Sequence, residues 1–243
     1  MRWGPRRVLP LLALIALATA CGTKQPPPTA VAPVVQKGPP PSMVATATVA
    51  SVPVYSAPGG TGSPIHTLSN PFDIGNNNNF PLVFLVDATQ GAWLKVDLPI
   101  RPNESTGWIR ASDVTLSQDP MRVMVQLSQH KLTVFKGASI VDTIPVAVGA
   151  PSGPTPTGHY YVTQVIPVPA NQPFFGPYAF GLSAFSGVYA SFSGGPGQTA
   201  MHGTDQPNLI GQNISHGCIR MTNASASRLH TEMPVGTPVV ITA

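Results

Sequence analysis

Beyond position 44 the apolar and polar residues alternate with a period of two over most of the chain, and that period predicts strands. In GAWLKVDL, Trp93, Lys95 and Asp97 fall on one face, and Leu94, Val96 and Leu98 on the other. FPLVFLVDATQ lacks this alternation and is expected to be a strand of the buried type. VATATVASVPVYSAP predicts one or two strands that turn at Ala57 to Gly60, and the polar turn RPNEST leads into GWIRASDVTL. From Met121 the alternation resumes in MRVMVQLSQHKLTVFKGASIVDTIPVAVG, with tight turns near Gln129-His130 and Lys136-Gly137. The stretch from about Ile166 to Gly187 is expected to be loop-rich. Helical spacing is expected only from Asn223 to about Met233, and PVGTPVVITA closes the chain as a strand. The pattern therefore predicts a mainly β protein in two regions, with one short helix. It shows no heptads, no internal repeat, no paired CxxC and no phosphate-binding Gly-Lys-Ser/Thr loop.

The start of the chain breaks this pattern. MRWGPRRVLPLLALIALATAC joins a basic n-region (Arg2, Arg6, Arg7) to an apolar run from Val8 to Ala18, too short for a comfortable membrane span. Residues 1–20 are expected to be an export signal. The small residues before Cys21 resemble a bacterial lipobox, which implies lipidation of Cys21. Arg6-Arg7 leaves the twin-arginine export route open beside the general one. The following GTKQPPPTAVAPVVQKGPPPSM carries seven prolines and no aromatic residue. Residues 21–43 are thus expected to form a lipidated, polyproline-like tether, able to reach on the order of 60 Å over twenty residues. The expected location is outside the cytoplasm, anchored to the cell membrane by lipid and facing the cell wall or periplasm.

Charge changes the list of partners. The formal net charge is +4, but three of the thirteen basic residues sit in the expected signal, leaving ten against nine acidic ones. So balanced a chain lacks the concentrated basic surface that nucleic acid requires. Only 9% of residues are charged, while Pro and Gly are abundant, which again favours strands and turns.

The chain has two cysteines. With Cys21 acylated, Cys218 has no partner for an intramolecular disulfide, and a leftover thiol in an exported protein points to intermolecular pairing or reactivity. Two histidines stand near it in sequence, His202 and His216. A thiol of ordinary pKa is only partly ionised at neutral pH, and a neighbouring imidazole can take its proton to give a thiolate–imidazolium pair. The base must in turn be held in one tautomer, a role the Gly203 carbonyl can fill for His202. His216 is the other candidate base. On a strand it would share a face with Cys218. In a tight turn, which Gly217 favours, the N–H groups of Gly217 and Cys218 would converge into an oxyanion hole.

The run MHGTDQPNLIGQNISHGCIRM resembles the active-site signature of the L,D-transpeptidases, the YkuD-domain family. The signature is His-Gly-Thr, a spacer, then Ser-x-Gly-Cys-(aliphatic)-Arg-Met, and here twelve residues, Gly203 to Ile214, separate His202 from Ser215. TPTGHYYV resembles the family's Thr-Pro-x-Gly element. The resemblance covers most of Met121 to Ala243. Upstream, WLKVDLPIRPNESTGWIRASDVTL resembles the end of a bacterial SH3-like domain. The resemblance implies a mainly β fold, with a small SH3-like barrel (44–118) followed by a β-rich sandwich catalytic domain with a short helix (119–243), the two meeting at Asp119-Pro120. Trp93 and Trp108 are expected to be core residues, the alternative being a ligand groove.

For the site, the resemblance implies Cys218 as nucleophile, His202 as general base and the Gly203 carbonyl as its orienting group. Ser215, His216 and Gly217 would shape the catalytic loop. Ser215, Arg220 and Tyr178 are expected to contact substrate, and other aromatics of FFGPYAF are divided between cleft and core. The implied reaction transfers the acyl group of a peptidoglycan tetrapeptide stem, through a Cys218 thioester, to the side-chain amine of a second stem. The product is a 3→3 cross-link; water as acceptor would give L,D-carboxypeptidase activity. Stem peptides, the membrane through the lipid anchor, and carbapenem-type inhibitors are the expected partners. No cofactor and no metal are implied.

Three other readings differ in testable ways. A wall endopeptidase of the NlpC/P60 or papain type places its cysteine before its histidine, whereas His202 and His216 both precede Cys218. A zinc site on His202, His216 and Cys218 has enough ligands for catalytic zinc but no carboxylate base nearby. A non-catalytic wall-binding lipoprotein would not need the thiol. His66, His130, His159 and His230 lie outside the constellation and are expected at the surface or at strand edges.

Overall fold

The computed structural model describes Met1 and residues 38–73, 79–192 and 194–243. The expected signal beyond Met1, Cys21, the tether up to position 37, and Asn76 to Asn78 of the Asn76–Asn79 polar loop lie outside the described residues. Residues 36–243 cluster as one unit.

Strands β1 (Ser42–Ala47), β2 (Val83–Gln90), β3 (Trp93–Asp97), β4 (Thr106–Arg110) and β5 (Val114–Asp119) form an antiparallel sheet in the order β4-β3-β2-β1-β5. The alternation expected for β3 is present: Leu94, Val96 and Leu98 are buried, with Val54, Phe84 and Ile109 packed around them. Trp93 and Trp108, expected in the core, are half-buried and lie outside it. The reason is register. Trp93 shares its face with Lys95 and Asp97, and Trp108 pairs with Lys95 across β3 and β4. On that face Trp93 meets the Tyr55 ring edge-on at 5.4 Å, and the Arg110 guanidinium covers both rings.

The second sheet contains β6 (Met121–Gln126), β7 (Lys131–Lys136), β8 (Ser139–Pro145), β9 (Gly158–Pro167), β10 (Tyr178–Phe185), β11 (Gln198–His202), β12 (Ile219–Arg220) and β13 (Pro238–Thr242), in the order β8-β7-β6-β13-β9-β10-β11-β12. Neighbours run antiparallel except β6 with β13 and β11 with β12. Helix α1 (Asn223–Glu232) starts where the Thr222 side chain accepts the Ser225 N–H, and it buries Ala226 and Leu229 against the sheet's apolar face. The strand β10 falls inside the stretch expected to be loop-rich. YAFGLSAF is buried on both faces, so it has neither the alternation nor the bulky β-branched residues by which a strand is read.

The sheets meet at Pro120, between β5 and β6. The buried Asp119 carboxylate accepts the Met121 N–H (2.8 Å) and the Thr237 hydroxyl (2.6 Å). Tyr161 of β9, fully buried, donates its hydroxyl to the Val83 carbonyl of β2 (2.9 Å). These contacts join the middle of the second sheet, at β6, β9 and the residue before β13, to the first.

Candidate active site

β11 and β12 are parallel neighbours, with Met201 opposite Ile219 and His202 opposite Arg220. Since β12 follows Cys218 directly, the pairing brings His202 and the Cys218 loop to one end of the sheet. They open into a narrow cleft, whose lining includes Phe174, Phe175, Tyr189, Phe192, Thr199, His202, Ser215, His216, Cys218 and Arg220.

His202 is 1% exposed. Its Nδ1–H donates to the Gly203 carbonyl (2.5 Å), which leaves Nε2 as the bare acceptor of the neutral ring. Nε2 has no hydrogen-bond partner. Burial lowers the imidazole pKa to about 4; the Gly203 bond opposes the shift, and the Arg220 charge adds to it. Gly203 must lack a side chain, because a Cβ would stand 2.4 Å from Asn223 Oδ1 and 3.0 Å from the Gly176 Cα. The same Asn223 oxygen accepts the Thr204 N–H (2.8 Å), so the first residue of α1 fixes the turn after His202.

Cys218 is a free thiol, partly accessible to solvent. Burial raises its pKa, while a hydrogen bond with the Ala200 backbone and the Arg220 charge pull it down. Its loop is closed by Ser215, whose hydroxyl donates to the Cys218 carbonyl (2.5 Å) and accepts the Gly217 N–H (3.1 Å). Gly217 has φ +120°, which non-glycine residues avoid. The Gly217 N–H is therefore engaged by Ser215 rather than turned toward the cleft. The Pro/Gly segment around TPTG supports this loop from below, since the Ala150 N–H donates to the Ser215 carbonyl and Thr155 Oγ1 accepts the Gly149 N–H.

Arg220 is buried, with its guanidinium 4.3 Å from the centre of the Phe174 ring. Its Nε lacks a partner, as does Thr199 Oγ1. Among the described residues four buried side-chain polar atoms have no hydrogen bond, and three of them (Thr199 Oγ1, His202 Nε2, Arg220 Nε) belong to residues lining this cleft. Native structures seldom leave such groups unpaired, and a catalytic role or bound water is among the usual reasons.

The other sequence candidates divide. His216 lies at the cleft but is exposed, its ring packed against Tyr189 (5.6 Å) and Phe192 (5.3 Å). Tyr178, expected to contact substrate, does not line the cleft. It stacks on His230 of α1 at 3.9 Å, because its place at the start of β10 faces the helix. Phe174 and Phe175 instead form the cleft's aromatic edge, at 5.9 and 5.1 Å from the His202 ring. Asn223, Thr199, Tyr189 and Phe192 went unmarked in the sequence. Nothing local distinguishes them, since they reach the site only through strand pairing and loop return. Among the described residues no group of three or more His, Cys, Asp or Glu side chains is placed to hold a metal ion.

A β sheet that sets a buried, tautomer-fixed histidine beside a free cysteine in a glycine turn defines a cleft suited to acyl transfer. Residues 120–241 match the family model of the L,D-transpeptidase catalytic domain, YkuD, and the chain belongs to that family. The YkuD protein of Bacillus licheniformis, described as an L,D-transpeptidase, is 33% identical over 123 residues, or 51% of this chain and 66% of its own length. Its Bacillus subtilis counterpart is 32% identical over 122 residues, 50% of this chain and again 66% of its own. The chain thus spans just under two thirds of these relatives. Among solved structures, L,D-transpeptidase LdtMt1 in complex with imipenem has a TM-score of 0.42 at 16% identity, covering 65% of this chain and 97% of that one.

Proposed function

We propose that the protein is a peptidoglycan L,D-transpeptidase with Cys218 as nucleophile and His202 as general base. The observation that carries this reading is the His202 ring itself: Nδ1 locked on the Gly203 carbonyl, Nε2 bare and unpartnered, in the cleft that also holds the free Cys218. Cys218 Sγ attacks the carbonyl between the third and fourth residues of a tetrapeptide stem, and its proton passes to His202 Nε2. The C–N bond breaks, the proton goes on to the departing amine of the terminal D-amino acid, and a thioester remains. The side-chain amine of a second stem then attacks the thioester and restores the thiol, leaving a 3→3 cross-link; water in its place gives the L,D-carboxypeptidase outcome.

Burial raises the thiol and lowers the imidazole, which favours a neutral resting pair. The proton moves as the sulfur attacks, in place of a preformed thiolate–imidazolium pair. The developing oxyanion needs N–H donors. With the Gly217 N–H held by Ser215, the Cys218 N–H is the nearer candidate. Arg220, cationic and short of one partner, is placed to meet a carboxylate or the developing negative charge. His216, Tyr189 and Phe192 offer an apolar wall for the stem peptide.

The same reading keeps residues 44–118 as an SH3-like domain and 119–243 as the catalytic domain. It places the protein outside the cytoplasm, exported by the 1–20 signal and held at the membrane by lipidated Cys21 and the tether, where peptidoglycan is within reach. The test is intact-protein mass spectrometry of the full-length chain with imipenem, which LdtMt1 binds in its solved complex. One covalent adduct on the wild type and none on Cys218→Ala is the expected result. No adduct on the wild type, with Cys218 freely alkylated by iodoacetamide, would overturn the reading in favour of a wall-binding lipoprotein.

A further inference from the structure

The loop between β10 and β11 carries Tyr189 and Phe192, the aromatic side of the cleft opposite Phe174 and Phe175, and it is gripped from outside the matched family region. Arg101, between β3 and β4, donates Nη1–H to the Ser186 carbonyl (2.8 Å), and Nη2–H to the carbonyls of Tyr189 (3.0 Å) and Pro196 (3.1 Å). Its guanidinium also lies 5.1 Å from the centre of the Phe185 ring. Two residues on, Asn103 pairs with the Phe185 backbone in both directions: Nδ2–H to the carbonyl (2.9 Å), and Oδ1 from the N–H (2.8 Å).

The loop's own bonds close its neck and its tip. The Ser186 N–H meets the Gly197 carbonyl, and Phe192 and Gly195 exchange bonds. Among the described residues of the loop, no hydrogen bond gathers the carbonyls of Ser186, Tyr189 and Pro196, whose like partial charges repel. The cation does so. The crossing is tight enough that a Cβ on Gly197 would meet the Tyr189 carbonyl at 2.2 Å and Arg101 Nη2 at 3.0 Å. A planar fork can serve three acceptors at once, which a lysine ammonium at the end of a flexible stem cannot do in the same geometry.

We infer that Arg101 is a positioning residue for the acyl donor: from the first sheet it holds the Tyr189–Phe192 wall against His216 and so sets how well a donor seats beside Cys218. This rests on the acyl-transfer reading above. On it, residues 44–118 complete the cleft in addition to any role as spacer or wall-binding module.

The test uses full-length wild type, Arg101→Ala and Arg101→Lys. Imipenem acylation is followed by mass over a range of concentrations, and iodoacetamide alkylation of Cys218 is measured alongside. A loosened wall raises the half-saturating imipenem concentration about tenfold in Arg101→Ala and about threefold in Arg101→Lys, with the limiting acylation rate and the alkylation rate within about twofold of wild type. Amide exchange across the loop quickens in both variants. A half-saturating concentration unchanged in both variants overturns the inference, and so does an alkylation rate that changes well beyond twofold along with acylation, which would mark a general disturbance of the fold. Should Arg101→Ala not fold, Arg101→Lys decides by the same two measures. Failure of the wild type to form any adduct is seen before the variants are compared, and it sinks the acyl-transfer reading instead.

Discussion

His202 and Cys218 carry opposite shifts with one shared cause, burial, while the Arg220 cation pulls both down. The His202 imidazole is lowered from 6.5 to about 4. As the acid side falls through 6.5, an unfolded chain takes up a proton that the folded ring refuses. The stability stored in the neutral ring is therefore whole above 6.5 and is lost between 6.5 and about 4, a loss of roughly 3 kcal/mol. Denaturant titrations at several pH values should show this loss in wild type and lack it in His202→Gln. For the same reason the acid limb of imipenem acylation should have its midpoint near 4 instead of near the ordinary histidine value. A midpoint near 6.5 would mean that the ring opens to water before it reacts. His202→Ala should slow acylation about a thousandfold, and His216→Ala much less, because the exposed His216 ring packs on aromatics with no tautomer fixed. The reverse order in single-turnover rates would make His216 the base. At this scale the sequence names Cys218, His202 and Gly203 as candidates through their spacing. The two opposite shifts are not legible there, since they depend on how deeply β11 and the glycine loop are covered.

At the scale of elements, the Cys218 loop owes its shape to one hydroxyl. Ser215 satisfies both the Cys218 carbonyl and the Gly217 N–H and is itself buried. Ser215→Ala leaves both groups unpaired at about 2 kcal/mol in stability, and the loop's departure from its turn should cut acylation while the protein still folds. Thermal melts together with adduct formation would check this; full acylation in the variant would mean that Gly217 alone sets the turn. The alternation of β3, β6 and β7 and the span of α1 could be read from the chain, because each is a local pattern. The strand β10 could not, because burial on both faces erases the period. The direction of Tyr178 is unreadable for the same reason. In a stretch read as loop its direction was unconstrained, whereas as the first residue of a strand it is turned toward His230.

At the scale of the whole molecule, the strand pattern and the family resemblance suggest two regions, but the contacts between them come from residues scattered along the chain. Tyr161, Arg101 and Asn103 have no common sequence pattern, so only the folded chain reveals what they join. Each is a short-range bond between groups far apart in sequence, and the Tyr161 hydroxyl, wholly buried against the Val83 carbonyl, is the most sheltered of them. Burial drives the phenol's pKa well above its usual range, so it remains a donor throughout any practical pH. With buried bonds at Asp119 and Tyr161, and with Arg101 and Asn103 clasping the loop after β10, the two sheets should unfold together. The chain supplies its own reporters. Of the three tryptophans, Trp93 and Trp108 stand on the first sheet, while the accessibility of Cys218 to iodoacetamide follows the second. In urea the fluorescence and labelling midpoints should coincide in wild type. Tyr161→Phe, which leaves the Val83 carbonyl without that donor, should lower both by the same amount, about 1 kcal/mol. Midpoints that separate already in wild type would mean that the sheets are stable independently. The clasp on the active-site loop would then have to hold against a joint that opens on its own.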